Sequence, residues 1–507
     1  MKCESGELSR DAALQSSIFF IWPERPRDFL VLLTRLSLVT CLVASVSVVL
    51  YGTFSSPGSL LRLPNPTRSD FAMQYVSDGP TNLSHLLFCI AGSADTWRDR
   101  SRYSSIWWTS NATRGFVWLD EHTANQTDRE ANSGEDLSRH EFRVPVRVSD
   151  PGWTRFRYSS SRAAVRIARI IWDSYRLELP EVRWFVMGDD DTVFFADNLV
   201  SVLARYDHRQ MWYVGGNSES VEQDTMHSYE MAFGGGGFAV SYALAKRLVN
   251  ILDGCLDRYY YFYGSDQRIA ACMSEIGVPF TRERGFHQLD IRGNPYGVLA
   301  AHPIVPLVSL HHLDYLDPIF PNQTQISSLQ TLTTAYRVDP NRILQQTFCY
   351  DHKRKWSVSI SWGYTIQIYT SMVSPKDLEV PLQTFKTWRS WSDGPFTFNT
   401  RPVNGDPCEQ PVVYFLDWVQ EVGSRGTRTS YRRAILPAEN CSKIEHVRAR
   451  SIERVIVSSM KMDPDYWNKE RRRHCCEIMN RGSRKESSML IRIRNCRSGE
   501  NILPRYI

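Results

Sequence analysis

The stretch Arg183-Trp-Phe-Val-Met-Gly-Asp-Asp-Asp-Thr-Val-Phe-Phe195 constrains this chain more than any other segment. A short apolar run with the composition of a buried strand ends at Gly188 and delivers Asp189, Asp190 and Asp191, and the chain turns apolar again at Val193. Acids pinned between apolar segments sit at the lip of a core. Their mutual repulsion there has to be offset, and a divalent cation is the usual agent. Oxygen ligands suit Mg2+ or Mn2+, which in turn grip a diphosphate. Strand-end turns, helix N-caps and calcium sites also carry acidic triplets, so the remaining sequence has to supply the context.

That context is an alternation of strand and helix. Leu86 to Gly92 and Phe116 to Leu119 have the composition of buried strands. Ser160 to Tyr175 places Ala164, Ile167, Ala168 and Ile171 on one helical face, with Arg162, Arg166 and Arg169 expected on the other. After the strand into the triplet, a helix is predicted over 196–206 and a strand over 211–214. The pattern indicates an α/β domain with a mostly parallel sheet, in which ligands bind beyond the carboxyl ends of the strands. After about Ile326 the character shifts. Trp356 to Tyr369 alternates apolar and polar residues, as an exposed strand pair would, and Val412 to Leu416 is a further apolar strand. The expected organisation is a tail over 1–28, a transmembrane signal-anchor over 29–54, a stem over 55–83, an α/β domain over 84–326 and a β-rich, Cys-containing region over 327–507.

The anchor is expected because Leu36 to Phe54 carries no charge and, at about 1.5 Å rise per residue, could just cross a bilayer. Arg25, Arg27 and Arg35 lie on its N-terminal side, which puts the long C-terminal part in a lumen. A core helix is the competing reading. Asn-x-Ser/Thr sequons at Asn82, Asn111, Asn125, Asn322 and Asn440 all follow the anchor. So do nine of the 11 Cys, which in an oxidising lumen would form disulfides of unspecified pairing. The net charge of +5 is uneven: residues 443–507 hold 16 Lys/Arg against 8 Asp/Glu, including the run Arg471-Arg-Arg473. That run suits an anionic polymer or lipid headgroup, or is a solvated basic face. Nothing near it resembles a nucleic-acid module.

Three further segments complete a candidate site. Met231 to Ser241 places Gly234, Gly235, Gly236 and Gly237 before a strand and a helix, so that backbone can approach a substrate and offer N–H donors. A mere turn is the alternative. Tyr259-Tyr-Tyr-Phe-Tyr-Gly-Ser-Asp-Gln-Arg268 opens a helix. There Asp266 is either a helix cap or a general base at the mouth of an aromatic-lined pocket. Pro306 to His312 reads as a strand delivering two histidines, of which alternation lets only one join the acids.

In order, Trp184-Phe-Val-Met-Gly-Asp-Asp-Asp-Thr192, Gly234-Gly-Gly-Gly-Phe-Ala-Val-Ser241, Gly264-Ser-Asp-Gln-Arg268 and Ser309-Leu-His-His-Leu313 resemble the Fringe-like glycosyltransferases of family 31. The likeness is closer still to the plant Fringe-related proteins catalogued as a domain of unknown function, and it covers roughly residues 84–325. It implies a GT-A-type, Rossmann-like α/β fold and a Golgi membrane location with the body in the lumen. It also implies a Mn2+-dependent (or Mg2+-dependent) inverting transfer of a hexose or N-acetylhexosamine from a UDP-sugar to a hydroxyl of a glycan or glycoprotein, in β-1,3 linkage. Carried over by position, Asp190, Asp191 and His311 are the metal ligands. Asp189, Asp190 and Gly235 to Gly237 line the cofactor pocket, and Asp266 is the base. Where Fringe-type enzymes have paired acids, this chain has Ser265-Asp266. Two other classes compete: a catalytically silent glycan-binding protein and a calcium-dependent adhesion protein. A Ser-His-Asp hydrolase is disfavoured, since no Gly-x-Ser-x-Gly elbow occurs.

Overall fold

The computed structural model describes residues 34–47, 79–122, 144–158, 161–435, 441–469, 471–479 and 487–503. Residues 1–78 and 79–507 are separate compact units. Of the expected anchor over 29–54, residues 34–47 are helical with exposed side chains, and its other residues lie outside the described ones. Among the described residues no helix is long and apolar enough to cross a membrane.

The second unit begins with strands β1 (Leu86–Ala91), β2 (Arg114–Leu119), β3 (Val146–Val148) and β4 (Trp184–Asp189). β5 (Val193–Phe194), β6 (Tyr213–Gly215), β7 (Phe238–Ser241) and β8 (Phe280–Arg282) follow, then β9 (Phe286–Gln288), β10 (Ile291–Gly293) and β11 (Ser309–His311). The main sheet runs β3-β2-β1-β4-β7-β6-β8. Its β1, β2, β3 and β4 pairings are parallel, as expected. β7 departs from that expectation, since it runs antiparallel to both β4 and β6. β1 and β4 are buried on both faces, which explains their continuous apolar sequence.

The helix Arg162–Tyr175 corrects one sequence expectation. Arg166 and Arg169 are buried, not solvated. Arg166 donates to the carbonyls of Gly92 at 2.6 Å and Trp118 at 3.0 Å, tying together the chain ends that leave β1 and β2. Arg169 pairs with Asp253 on the helix Tyr242–Arg258.

An eight-stranded sheet is built from residues 346–494. Its strands Trp356–Ser361 and Thr365–Tyr369 are buried throughout, not exposed. The polar residues that alternate along them are satisfied internally: Ser361 donates to the Leu299 carbonyl at 3.1 Å and Gln367 to the Tyr296 hydroxyl at 2.9 Å. One buried apolar cluster joins Phe88, Val186 and Phe194 of the first half to Trp356, Tyr364 and Tyr431 of the second. Disulfides join Cys255–Cys272, Cys349–Cys476, Cys408–Cys441 and Cys475–Cys496, leaving Cys41 and Cys89 free among the described residues.

A small sheet, β5-β11-β9, positions the functional residues. β11 lies antiparallel to β5, with Leu310 opposite Val193, and parallel to β9, with His311 opposite Gln288. The strand carrying His311 is thereby locked to the residues that follow the acidic triplet.

Candidate metal and sugar-transfer site

At the end of β4 the chain makes a tight turn. Thr192 N–H donates to the Asp189 carbonyl at 3.0 Å, Asp189 N–H to the Thr192 hydroxyl at 2.8 Å, and that hydroxyl to the Gly235 carbonyl at 2.7 Å. The three carboxylates are consequently fixed in different directions. Asp190 accepts from the Thr96 hydroxyl at 2.5 Å and from Arg100 at 3.1 Å, both on the helix Ala94–Trp107. Asp191 faces Arg100 at 3.2 Å and His311 Nε2 at 3.1 Å. Asp189 is partly exposed, 3.8 Å from His311 Nε2.

Ligand atoms of Asp189, Asp191 and His311 all lie within 4.8 Å of one another. The sequence assigned Asp190 to that set; the structure instead turns Asp190 toward the helix and puts Asp189 beside His311. The reason is the turn over 189–192, in which Asp190 is drawn to Thr96 and Arg100 while Asp189 and Asp191 stay beside His311.

Gln288 determines which histidine nitrogen carries the proton. Gly236 N–H can only donate, and it does so to Gln288 Oε1 at 2.6 Å. The same oxygen lies 3.0 Å from His311 Nδ1, which must therefore hold the hydrogen. Burial, and then the charge of His312, hold His311 below its ordinary pKa, so the ring is neutral and Nε2 presents a lone pair. That lone pair faces two carboxylates, and Asp191, although buried, is held below the usual carboxylate range by His311 and Arg100, so its anion is in place for a cation. Both Asp191 oxygens are buried without a hydrogen bond. Burial, and then the charges of Asp191 and Asp266, push Asp189 well above the usual carboxylate range. Arg100 is one positive charge against Asp190, Asp191 and Asp314. Two carboxylates and one imidazole nitrogen are a donor set that fits a divalent cation.

The glycine run forms the opposite wall. A Cβ on Gly235 would sit 2.0 Å from His311 Cε1, and one on Gly234 would sit 2.6 Å from Asp266 Oδ1. Gly237 has φ +87, the left-handed region that closes the turn. Asp266, in the first turn of the helix Ser265–Ile276, accepts from Gly234 N–H at 2.9 Å and from the Ser265 hydroxyl at 2.8 Å. Burial above all raises its pKa. Asp189, Gly234 and Asp266 line one small cavity. The aromatic run before it is held by Arg268, fully buried, which donates to the carbonyls of Tyr260 and Phe262.

His312 does not join the acids. It is in the left-handed region at φ 66, pairs with Asp290 at 2.6 Å, and stacks between His311 at 4.1 Å and Trp388 at 4.8 Å. Trp388 in turn packs edge-on against Tyr315, and Arg292 lies over both Trp388 and Trp391. This aromatic group beside the histidines comes partly from the C-terminal half, and Trp391 and Tyr315 are exposed. Glu283 is engaged by Arg205 and Tyr206, and Asp290 by Ser218, Gln288 and His312. Thr96, Arg100, Gln288 and Trp388 were missed by sequence reasoning. Only Thr96 and Arg100 carried a signal, sharing one face of the helix after β1 at a spacing of four.

The fold and site thus define an α/β protein with an acid–imidazole centre suited to a divalent cation, walled by glycines and flanked by a buried carboxylate. The chain belongs to the family described as "Protein of unknown function, DUF604", which matches residues 223–476 and so takes in the glycine run, Asp266, Gln288 and His311. It is also similar to a Beta-1,3-glucosyltransferase of Mus musculus, 30% identical over 139 residues. The overlap is 27% of this chain and 27% of that protein, so the chain spans about a quarter of its curated relative. Among solved structures, mouse Xyloside xylosyltransferase 1 overlaps 39% of this chain and 84% of its own, at 12% identity and a TM-score of 0.24. The mannosyltransferase PcManGT of Pyrobaculum calidifontis, in complex with GDP-Man and Mn2+, overlaps 40% of this chain and 55% of its own, at 13% identity and a TM-score of 0.24. Both structural overlaps are loose.

Proposed function

We propose that this chain is a metal-dependent, inverting glycosyltransferase of the Fringe-like kind. It would move a hexose or N-acetylhexosamine from a UDP-sugar to an acceptor hydroxyl in β-1,3 linkage. The observation that carries the reading is the His311 lone pair aimed by Gln288 at Asp189 and Asp191, with Asp266 in the cavity alongside. Asp189, Asp191 and His311 would hold the cation, which when bound offsets the charge of the departing diphosphate.

The protein's own groups do the rest. Gly235 to Gly237 let the donor approach without a side chain in the way. Asp266 is held in place by Gly234 N–H and the Ser265 hydroxyl, and takes the acceptor proton as the acceptor oxygen attacks the anomeric carbon. No covalent intermediate on the protein is required. Trp391 and Tyr315 offer exposed rings for the acceptor glycan.

We place the protein in the Golgi membrane with this unit in the lumen. The four disulfides support an oxidising compartment, and Asn82, Asn111 and Asn322 are exposed as glycan acceptors would be. The test is release of UDP by the full chain from a panel of UDP-sugars with and without Mn2+. Turnover of one donor that stops on removing the metal supports the reading. Metal-independent turnover, or none with any donor and acceptor glycan, refutes it.

A further inference from the structure

A second, wider cleft among the described residues lies elsewhere. It has a volume of about 510 Å³ and none of Asp189, Asp191, His311 or Asp266 lines it. It lies where the segment Gly216 to Glu219 and the β8–β9 connection meet the C-terminal half, at Glu379 to Pro381, Thr397 to Asn399, Arg471 and Arg473.

Its charge is unbalanced. Arg282, Arg284, Lys376, Arg471 and Arg473 face Glu219, Glu283 and Glu379. Every acid is already committed: Glu219 to His287 at 2.7 Å, Glu283 to Arg205 at 2.7 Å, and Glu379 to Lys376 at 2.9 Å and Arg473 at 3.8 Å. The side chains of Arg282, Arg284 and Arg471 make no ion pair within 4 Å with any described acid, although Arg282 lies near enough to the buried Asp224 to favour its ionised form. Arg282, Arg284 and Arg471 are all exposed along the cleft, where they add three positive charges. Arg473 stands two residues before Cys475, and the disulfides of Cys475 and Cys476 fix that strand in place. The basic run noted in the sequence is therefore partly built into a wall.

The remaining lining is not that of a bare anion pocket. Asn217 Oδ1, Glu219 Oε2 and His287 Nε2 are buried without a hydrogen-bond partner, and Thr397 and Asn399 add further polar groups. Val298, Ile304 and Phe398 supply apolar surface. Guanidinium forks match carboxylate and phosphate geometry, amides match hydroxyls, and the volume falls within the ~300–1,000 Å³ of small-ligand sites.

We propose that this cleft is a second ligand site, which takes a sugar bearing an anionic group, with Arg282, Arg284 and Arg471 gripping the anion and Asn217 and Phe398 the ring. The anionic group is a carboxylate or a phosphate ester. The sugar half of this assignment rests on the glycosyltransferase reading; the anion half does not.

The experiment is calorimetric titration of the full chain with trigalacturonate, with glucose 6-phosphate and with neutral maltotriose. At least one acidic sugar should bind roughly tenfold more tightly than maltotriose and weaken as salt rises. The tighter arm identifies carboxylate or phosphate as the source. Arg282→Gln with Arg284→Gln should lose that binding by about tenfold or more, with Mn2+ affinity and the melting curve unchanged. Arg471→Gln alone, at an exposed position, gives the same readout if the double variant fails to fold. Equal affinity for acidic and neutral sugars, or undiminished binding in a folded variant, overturns the proposal. Inorganic phosphate binding in place of both sugars would leave an anion site and refute the sugar. UDP-sugar turnover, measured in parallel, reports on the catalytic reading independently.

Discussion

The ring of His311 lies flat against Gly235, so close that a single added Cβ would fall 2.0 Å from Cε1 and 2.4 Å from Nε2. No side chain fits between them, and the ring cannot retreat, because Nδ1 is held by Gln288. Gly235→Ala should therefore move the imidazole out of the acid cluster. We expect Mn2+ affinity to fall by about tenfold or more while the far-UV circular dichroism stays that of the wild type. Tight Mn2+ binding in a folded Gly235→Ala protein would show that His311 is not a ligand.

Gln288 is the hinge of that arrangement. Its oxygen serves Gly236 N–H and His311 Nδ1, and its amide donates to Asp290 at 3.0 Å. Gln288→Leu leaves two buried donors without an acceptor and frees the imidazole to rotate or change tautomer. Second-sphere losses of this type lower metal affinity by ~10–100-fold. The orphaned donors should also destabilise the fold by about 1–3 kcal/mol each at most. Isothermal titration with Mn2+ and a denaturant midpoint measure both effects; a loss of stability with intact metal affinity would make Gln288 a purely structural residue.

The three aspartates should not be equivalent. Asp191→Asn removes a carboxylate that faces His311 Nε2 and should abolish Mn2+-dependent UDP binding. Asp190→Asn alters a group already held by Thr96 and Arg100 rather than turned to His311, so metal binding should survive it with a change of only a few-fold. If the two variants lose Mn2+ to the same extent, Asp190 returns to the ligand set.

Much of this was readable before the structure, and the misses have specific causes. β1, β4 and the helices at 162–175 and 265–276 followed from apolar runs and periodicity, because burial on both faces or on one stripe leaves that mark. Which aspartates point at His311 was not readable, since it depends on the register of β11 against β5, a pairing of residues more than a hundred positions apart. Periodicity puts Arg166 and Arg169 on a polar face, because sequence cannot show the carbonyls of Gly92 and Trp118 or the carboxylate of Asp253 that receive them. The strands at 356–369 alternate as exposed strands do, yet are buried, for the same reason. Their serines and glutamine do not face water; residues near 296–299 cover them. Gln288 left no trace at all, because a lone glutamine in a short strand has no pattern to betray it.

The role of Asp266 can be separated from mere helix capping by one substitution and a pH profile. Asn in its place keeps an oxygen for Gly234 N–H, so Asp266→Asn should fold with UDP affinity nearly unchanged, the carboxylate being no ligand of the metal. Transfer should drop by ~10²–10⁴-fold, the usual worth of a positioned base. A base works only when ionised, so wild-type turnover should rise with pH as Asp266 loses its proton. Burial raises that pKa, which puts the acid limb of the profile above the ordinary carboxylate range. In Asp266→Asn the limb should vanish along with the activity. Because Asp189 is also raised and titrates on the same side, the profile has to be recorded at saturating Mn2+, where the bound cation keeps Asp189 ionised throughout. An acid limb that persists at saturating metal in the variant would transfer the base role to another group, and full activity in the variant would reduce Asp266 to a cap.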